Sequence, residues 1–260
     1  MFSLALIPAA GRGARLDRPA TPKPLVDVGG RPLIIDVLMR LQAAGVTRAV
    51  VVVGYRGEQV VRHLTNHPDL DLKIEFVEHA GWQQGLASSI LAARDHIDEP
   101  FVLAMSDHLF DPALVEHITS ADLGADDGVM LVDQQLDEIY DLDDAVKVHL
   151  DGERVTDASR NLNGPHAVDA GLFAFRPAIF DALEEALAAR EPADLTDAVR
   201  LLGARGKLRA VFTDGARWHD IDTPPALIRA EMEYRAKRRK DTVNRPQFAA
   251  PAQAETHVYP

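Results

Sequence analysis

The stretch that decides the fold stands near the start of the chain, where residues 4–16 read LALIPAAGRGARL and residues 21–25 read TPKPL. The apolar run at residues 4–8 predicts a buried β-strand, and the two glycines after it predict a tight loop. Glycines let backbone N–H groups approach phosphate oxygens closely, and arrays of such groups bind anions. Arg15 and Lys23, the latter between two prolines, add positive charge. The stretch therefore predicts a polyphosphate site.

The common phosphate-loop motifs do not describe this stretch. No GKS or GKT follows the glycines, and the third glycine of a dinucleotide fingerprint is missing at its usual offset. We predict nucleotide contacts from the strand end and the loop, namely Pro8, Ala9, Ala10, Gly11, Arg12 and Gly13.

Composition restricts the remaining classes of function. The 260 residues carry 40 acidic against 28 basic side chains, a formal net charge of -12. Nucleic-acid binding draws its affinity from clustered Lys and Arg, so a nucleic-acid partner is not expected. The absence of cysteine excludes disulfides, thiolate metal sites and a cysteine nucleophile. The N-terminal apolar run has no basic segment before it and is interrupted early by Gly11, which predicts a cytoplasmic protein without a signal peptide.

The order of patterns along the chain predicts an α/β fold. Strand-like runs alternate with helical patterns at first, which is typical of βαβ units, with strands at 4–8, 48–53, 73–77 and 101–105 and helices at 33–44, 58–64 and 88–97. Later patterns are richer in strands, at 129–133, 146–150, 168–175 and 208–212, with helices at 178–189, at 195–203 and from Pro224. We predict a Rossmann-like mixed, mostly parallel sheet with helices on both faces and a β-rich extension.

Two aspartates stand where such folds bind ligands. Asp107 follows the predicted strand 101–105, and Asp222 precedes the last helix. Open α/β sheets bind ligands beyond the carboxyl ends of their strands. Each aspartate alone could equally be a turn or helix-capping residue, but together they could bind one Mg²⁺, which takes few protein carboxylates and completes its shell with phosphates and water.

The glycine loop and the PKPL segment together resemble the signature of the NTP-transferase superfamily that activates sugar phosphates and related alcohols. The resemblance implies a magnesium-dependent transfer of a nucleoside monophosphate with release of pyrophosphate. It implies that Arg15 holds the β- and γ-phosphates and that Lys23 neutralises charge at the reacting phosphate. Asp107 would contact the nucleotide and share the metal with Asp222.

Three further segments resemble CTP:inositol-1-phosphate cytidylyltransferases, at residues 81–94, 141–148 and 166–173. The resemblance implies CTP and a phosphorylated polyol such as inositol 1-phosphate as substrates. By this likeness, Gly85 and Ser89 belong to the base-recognition loop and its helix. Lys147 would bind the acceptor phosphate, and Asp169 a hydroxyl group of the alcohol.

The chain departs from that family at several positions. Leu86 and Ala87 stand where an asparagine and a glycine are usual, and the basic residue after the central hairpin is Arg160. The nucleobase and acceptor therefore stay open, with sugar-1-phosphate uridylyl-, thymidylyl- or guanylyltransferases and a non-catalytic nucleotide-sensing subunit as alternatives.

The resemblance also predicts how the chain is organised. We expect a nucleotidyltransferase domain over 1–235, with a nucleotide half at about 1–127 and an acceptor half at about 128–235. A basic and then disordered tail is expected over 236–260. Some family members carry a fused membrane-spanning phosphotransferase domain that this sequence lacks, so we expect the CDP-alcohol to pass to a separate membrane enzyme.

Overall fold

A computed structural model describes the backbone of residues 1–16 and 20–243 and the side chains up to Glu233. The part of the expected tail beyond residue 243 lies outside the described residues. The strands are β1 Leu4–Ala9, β2 Asp27–Val28, β3 Arg31–Pro32, β4 Arg48–Val53, β5 Lys73–Glu78, β6 Phe101–Ala104, β7 His108–Phe110, β8 Gly128–Asp133, β9 Lys147–Asp151, β10 Arg154–Ser159, β11 Ala167–Phe175, β12 Leu208–Phe212 and β13 Trp218–Asp220. The helices are α1 Leu33–Ala43, α2 Gly57–Leu64, α3 Leu86–Leu91, α4 Pro112–Thr119, α5 Ile179–Ala189, α6 Leu195–Ala204 and α7 Pro224–Val243.

One nine-stranded mixed sheet forms the centre of the molecule, in the order β5-β4-β1-β6-β11-β8-β12-β10-β9. The strands β5, β4, β1 and β6 run parallel to one another. From β11 onward the pairings are antiparallel except for β8 with β12. The predicted mixed α/β sheet is confirmed. Four of its nine strand pairings are parallel, not most of them as expected, because the strand-rich second half pairs mainly in antiparallel fashion.

Alternating side chains of the central strands cover both faces of the sheet. In β1, Leu4 and Leu6 enter one apolar cluster, whereas Ala5 and Ile7 enter the other. The first cluster also takes buried residues of α3, α5 and α6, and the second takes those of α1, α2 and α4. Because successive residues of a strand point to opposite faces, uninterrupted apolar runs require cover on both sides. Helices on both faces are thus confirmed.

Several elements, most of them short strands, escaped prediction from sequence. They are the β2–β3 hairpin, β7, α4, β10 and β13. Strands of two or three residues are too short to show the two-residue period on which sequence reading depends. The helix predicted at 88–97 is also shorter than expected, because α3 ends at Leu91 and a 3-10 turn at Arg94–His96 follows.

A small third cluster of apolar residues fixes the segment that carries Lys23. It joins Leu16 and Val26, on either side of that lysine, to Ile221 and Leu227 at the start of α7. This packing holds the segment around Lys23 against the start of α7 and the residues just before it. Among the residues described, no helix is both long and apolar enough to cross a lipid bilayer.

Candidate active site

A short antiparallel ladder brings the two predicted metal-binding aspartates together. In this ladder β7 pairs with β13, and Asp220 lies opposite His108. The backbone N–H of Ile221 donates to the carbonyl of Asp107 at 3.0 Å. Asp107 immediately precedes β7, and Asp222 lies two residues beyond β13, so this ladder places both carboxylates at one end of the central sheet.

The ammonium group of Lys23 lies between these carboxylates. Lys23 begins a 3-10 turn after Pro22, and its side chain is buried. Its Nζ donates to Asp107 Oδ2 at 2.5 Å and also to Asp222. Burial opposes the charged form, but the attraction of Asp107 and Asp222 outweighs it and raises the pKa of Lys23. The lysine is therefore a fixed positive charge.

The two loop glycines differ in their structural role. Gly13 has φ +62°, and a Cβ there would lie 2.5 Å from the Cβ of Lys23. A larger residue would therefore displace the lysine stem. At Gly11 an added Cβ would meet nothing within 4 Å. The observed loop conformation thus favours glycine at position 13, and Gly11 is compatible with the close ligand approach predicted from sequence.

Arg15 links the carboxylate pair to the second half of the chain. Its guanidinium group pairs with Asp222 on one side and with Asp144 on the other. Its side chain is about half exposed, at 49%, so solvent and ligands can reach it. The structure thus brings the predicted Arg15, Lys23, Asp107 and Asp222 into one cluster.

A second group of possible metal ligands adjoins the lysine. Ligand atoms of Asp107, His108 and Asp220 lie within 4.8 Å of one another. Oδ1 of Asp220 is buried and accepts no hydrogen bond from the described residues. Hard divalent cations prefer carboxylate oxygens, so the residues present fit such an ion. Asp222, by contrast, is occupied by Lys23 and Arg15.

His108 is fixed in place on every side. Its ring stacks on Trp218 and Phe110 at centroid distances of 5.8 and 5.7 Å. Its Nδ1 lies 2.9 Å from Asp107 Oδ1. Burial opposes the charged imidazolium, but Asp220 and the hydrogen bond to Asp107 prevail and raise the pKa of His108 to about 9. The charged ring therefore helps to hold Asp107 ionised.

A cavity of about 790 Å³ opens beside this cluster. From the first half of the chain it is lined by Arg15, Leu86, Met105, Asp107 and His108, and the rest of its lining comes from residues beyond 132. Four arginines and eleven acidic residues line it: Arg15, Arg160, Arg217, Arg229, Asp107, Asp133, Asp137, Glu138, Asp141, Asp144, Asp169, Asp194, Asp220, Asp222 and Glu233. An anionic group entering the cavity would therefore be attracted chiefly to the arginines.

Asp169 and Lys147, the two residues predicted to bind the acceptor, differ in their position relative to the cavity. Asp169 lines the cavity, and its Oδ1 accepts from the Gly171 N–H at 2.8 Å. Burial raises its pKa to about 6. Lys147 is not among the lining residues, and its ammonium donates to the carbonyls of Asp143 and Arg160 at 3.1 and 2.7 Å. Arg160 itself lines the cavity.

Sequence reasoning did not assign Arg160, Asp144 or Asp194 to the site. Arg160 Nε donates to the Asp144 carbonyl at 2.9 Å, and the guanidinium lies 3.7 Å from Asp194. The basic residue after the central hairpin was visible in the sequence as a departure from the family pattern. Asp144 lies in the segment 141–148 that resembles the family, but no signal marks it individually, and Asp194 lies outside the three resembling segments.

Apart from Asp107, the predicted nucleotide-binding residues are not among those that line the cavity. The carbonyl oxygens of Pro8 and Ala10 accept from Ser106 and Tyr55. Gly85 has φ +101°, and an added Cβ would lie 2.5 Å from a backbone oxygen. Ser89 is buried and donates to the Gly85 carbonyl at 3.2 Å. Their contacts to a nucleotide stay predictions.

Comparison with known proteins defines the class. The model of the MobA-like NTP transferase domain matches residues 5–208, and the chain belongs to that family of nucleotidyltransferases.

Its relatives include the bifunctional IPC transferase and DIPP synthase of Rubrobacter xylanophilus, 36% identical over 87% of this chain. The chain spans about half of that relative, 51%. It is also 32% identical to UTP--glucose-1-phosphate uridylyltransferase AglF of Haloferax volcanii, over 88% of this chain and 95% of the relative.

Solved structures share the fold. The inositol-1-phosphate CTP transferase from T. maritima aligns with a TM-score of 0.77 and 22% identity, over 90% of this chain and 96% of the other. A UDP-glucose pyrophosphorylase complexed with UDP-glucose aligns with a TM-score of 0.76 and 20% identity, over 91% and 100%. The two solved structures share this fold although their names refer to different nucleotides, CTP in one and UDP-glucose in the other.

Proposed function

We propose that this protein transfers CMP from CTP to a phosphorylated small alcohol such as inositol 1-phosphate and releases pyrophosphate. The observation that carries the proposal is the buried ammonium of Lys23 between Asp107 and Asp222, with Arg15 beside it at the cavity. A fixed cation next to carboxylates that can bind a metal is what a triphosphate requires.

In the proposed reaction an oxygen of the acceptor phosphate attacks the α-phosphorus of the nucleotide. The bond from that phosphorus to the bridging oxygen breaks, and pyrophosphate leaves with the electron pair. Lys23 stabilises the charge that develops at the α-phosphate, and Arg15 binds the leaving phosphates. No protein nucleophile or base is needed, because the acceptor phosphate is already an anion near neutral pH.

We assign Mg²⁺ to Asp107 and Asp222, with Asp220 beside them. When bound, Mg²⁺ would neutralise the triphosphate and favour departure of pyrophosphate. In the structure Lys23 donates hydrogen bonds to both proposed ligands. Binding of the ion would therefore replace part of the contact between Lys23 and Asp222. His108 fixes the orientation of Asp107 through its 2.9 Å contact.

The acceptor is proposed to bind on the side of the cavity that carries Arg160 and Asp169. Arg160 offers the guanidinium that lines this wall, and Lys147 supports it through the carbonyl of the same residue. A carboxylate at 169 can accept hydrogen bonds from alcohol hydroxyls. A site built on such bonds discriminates strongly against analogues that lack them.

The test is a matrix of substrates with pyrophosphate release as the readout. CTP, UTP, GTP, ATP and dTTP are each combined with inositol 1-phosphate, other polyol phosphates, hexose 1-phosphates and phosphocholine. We expect the highest kcat/KM for CTP with a polyol phosphate and no turnover in EDTA. Undiminished turnover in EDTA would remove the metal from the mechanism.

A second candidate is a sugar-1-phosphate uridylyltransferase. It is favoured by the 32% identity to the Haloferax volcanii uridylyltransferase, which this chain covers nearly end to end. A higher kcat/KM for UTP with a hexose 1-phosphate than for every CTP combination would establish it in place of the cytidylyl proposal.

A further inference from the structure

The charged groups of the site form one continuous series across the cavity. Each member contacts the next, and acidic and basic side chains alternate: Asp107, Lys23, Asp222, Arg15, Asp144, Arg160 and Asp194. Asp144 lies between the two arginines of this series, Arg15 and Arg160. Its carboxylate pairs with Arg15, and its Oδ1 lies 3.6 Å from Arg160 Nε.

We propose that Asp144 is an internal competitor of the anionic substrates, occupying both arginines until phosphate groups displace it. This inference rests on the proposed function, in which Arg15 receives the triphosphate and Arg160 the acceptor phosphate. A carboxylate and a phosphate oxygen bind a guanidinium group through the same N–H donors. The ligand-free protein therefore satisfies its anion sites with its own side chain.

The position of Asp144 argues against a mainly structural role. Its side chain is 40% exposed, and those of Arg15 and Arg160 are 49% and 45% exposed. Ion pairs of this exposure contribute little to folding. Asp194 differs, because it also caps α6 in a capping box. Asp144 can thus leave its partners without loss of a folded element.

The matched variants are Asp144→Asn and Asp137→Asn. Both remove one negative charge from the same cavity lining. Asp137 is exposed and forms no ion pair with the described side chains, so its variant measures the general effect of charge. In the full-length protein we expect Asp144→Asn to lower the KM for CTP and for the acceptor about two- to fivefold, beyond any change in Asp137→Asn. The kcat and the melting temperature should stay the same.

Calorimetric titration with inorganic pyrophosphate and Mg²⁺ tests the idea without assuming the nucleotide or the acceptor. Asp144→Asn should bind pyrophosphate about two- to fivefold more tightly than Asp137→Asn at low ionic strength. The gain should shrink at 0.5 M salt, because exposed charges are then screened. Equal or weaker binding by Asp144→Asn would overturn the competitor role. Tighter pyrophosphate binding by Asp144→Asn together with no turnover of any substrate pair would support the competitor role and reject only the proposed reaction.

Discussion

The two walls of the cleft are built in different ways. The glycine-loop wall, which we define as residues 8–16 and 20–25, reaches the cavity through Arg15, and its lysine is held by a glycine and two prolines. The acceptor wall, which we define as the cavity lining beyond residue 132, is assembled from separate segments joined by ion pairs. The first wall depends on local backbone conformation, and the second depends on long-range side-chain contacts. Substitutions in the two walls should therefore impair the protein in different ways.

The largest effect is expected for Lys23→Ala. In the proposed reaction its charge would contact the reacting phosphate most strongly in the transition state, so kcat should fall by about 100-fold or more, roughly 3 kcal/mol. Steady-state kinetics would measure it, with Lys73→Ala on the exposed face of β5 as the control. Unchanged kcat with a raised KM would reduce Lys23 to a substrate-binding residue.

The next effect compares the two loop glycines. Gly13→Ala should lower the free energy of unfolding by ~2 kcal/mol, because it combines a left-handed φ with a clash against the lysine stem. Gly11→Ala should change it by less than ~0.5 kcal/mol. Denaturant unfolding of both variants measures the difference. Equal losses would mean that the loop is held by something other than contact with Lys23.

On the acceptor wall we compare Arg160→Ala with Lys147→Ala. Loss of the Arg160 guanidinium should raise the acceptor KM about tenfold or more and leave the CTP KM nearly unchanged. Lys147→Ala should raise the acceptor KM as well but less, because its ammonium contacts two carbonyls. If Lys147→Ala has the larger effect, the lysine predicted from sequence binds the phosphate directly.

The smallest effect is a dependence of stability on pH. Burial raises the pKa of Asp169 from 3.8 to about 6, so the folded state binds this proton more tightly than the unfolded state. The stabilisation is present below pH 4 and is lost as pH rises through 6. The free energy of unfolding of Asp169→Asn should therefore exceed that of the wild type at pH 8 by about 1 kcal/mol, with the difference shrinking toward pH 4.5, as measured by denaturant unfolding at both pH values. Asp137→Asn is the control, and a pH-independent difference would contradict the assignment.

Sequence reasoning located most long elements within two residues. The strand at Arg48–Val53 matches in full, because consecutive valines favour a strand covered on both faces. It failed at β7 and β13, three residues each, although their pairing positions Asp107 and Asp222. Local periodicity reports which side chains are buried, but it does not report which distant strand lies alongside.

The sequence by itself determined the glycine loop, the lysine between two prolines and the family to which they point. These features depend on residue types that fix φ or supply charge, and the residues stand within one short segment. They can therefore be recognised from the sequence of that segment. Only the tertiary structure decided the acceptor wall. Arg15 and Asp144 meet across 129 positions of the chain, and their contact depends on the packing of the whole sheet. Exposed arginines and aspartates are common, and nothing in their neighbourhood in the sequence marks the pairs that meet.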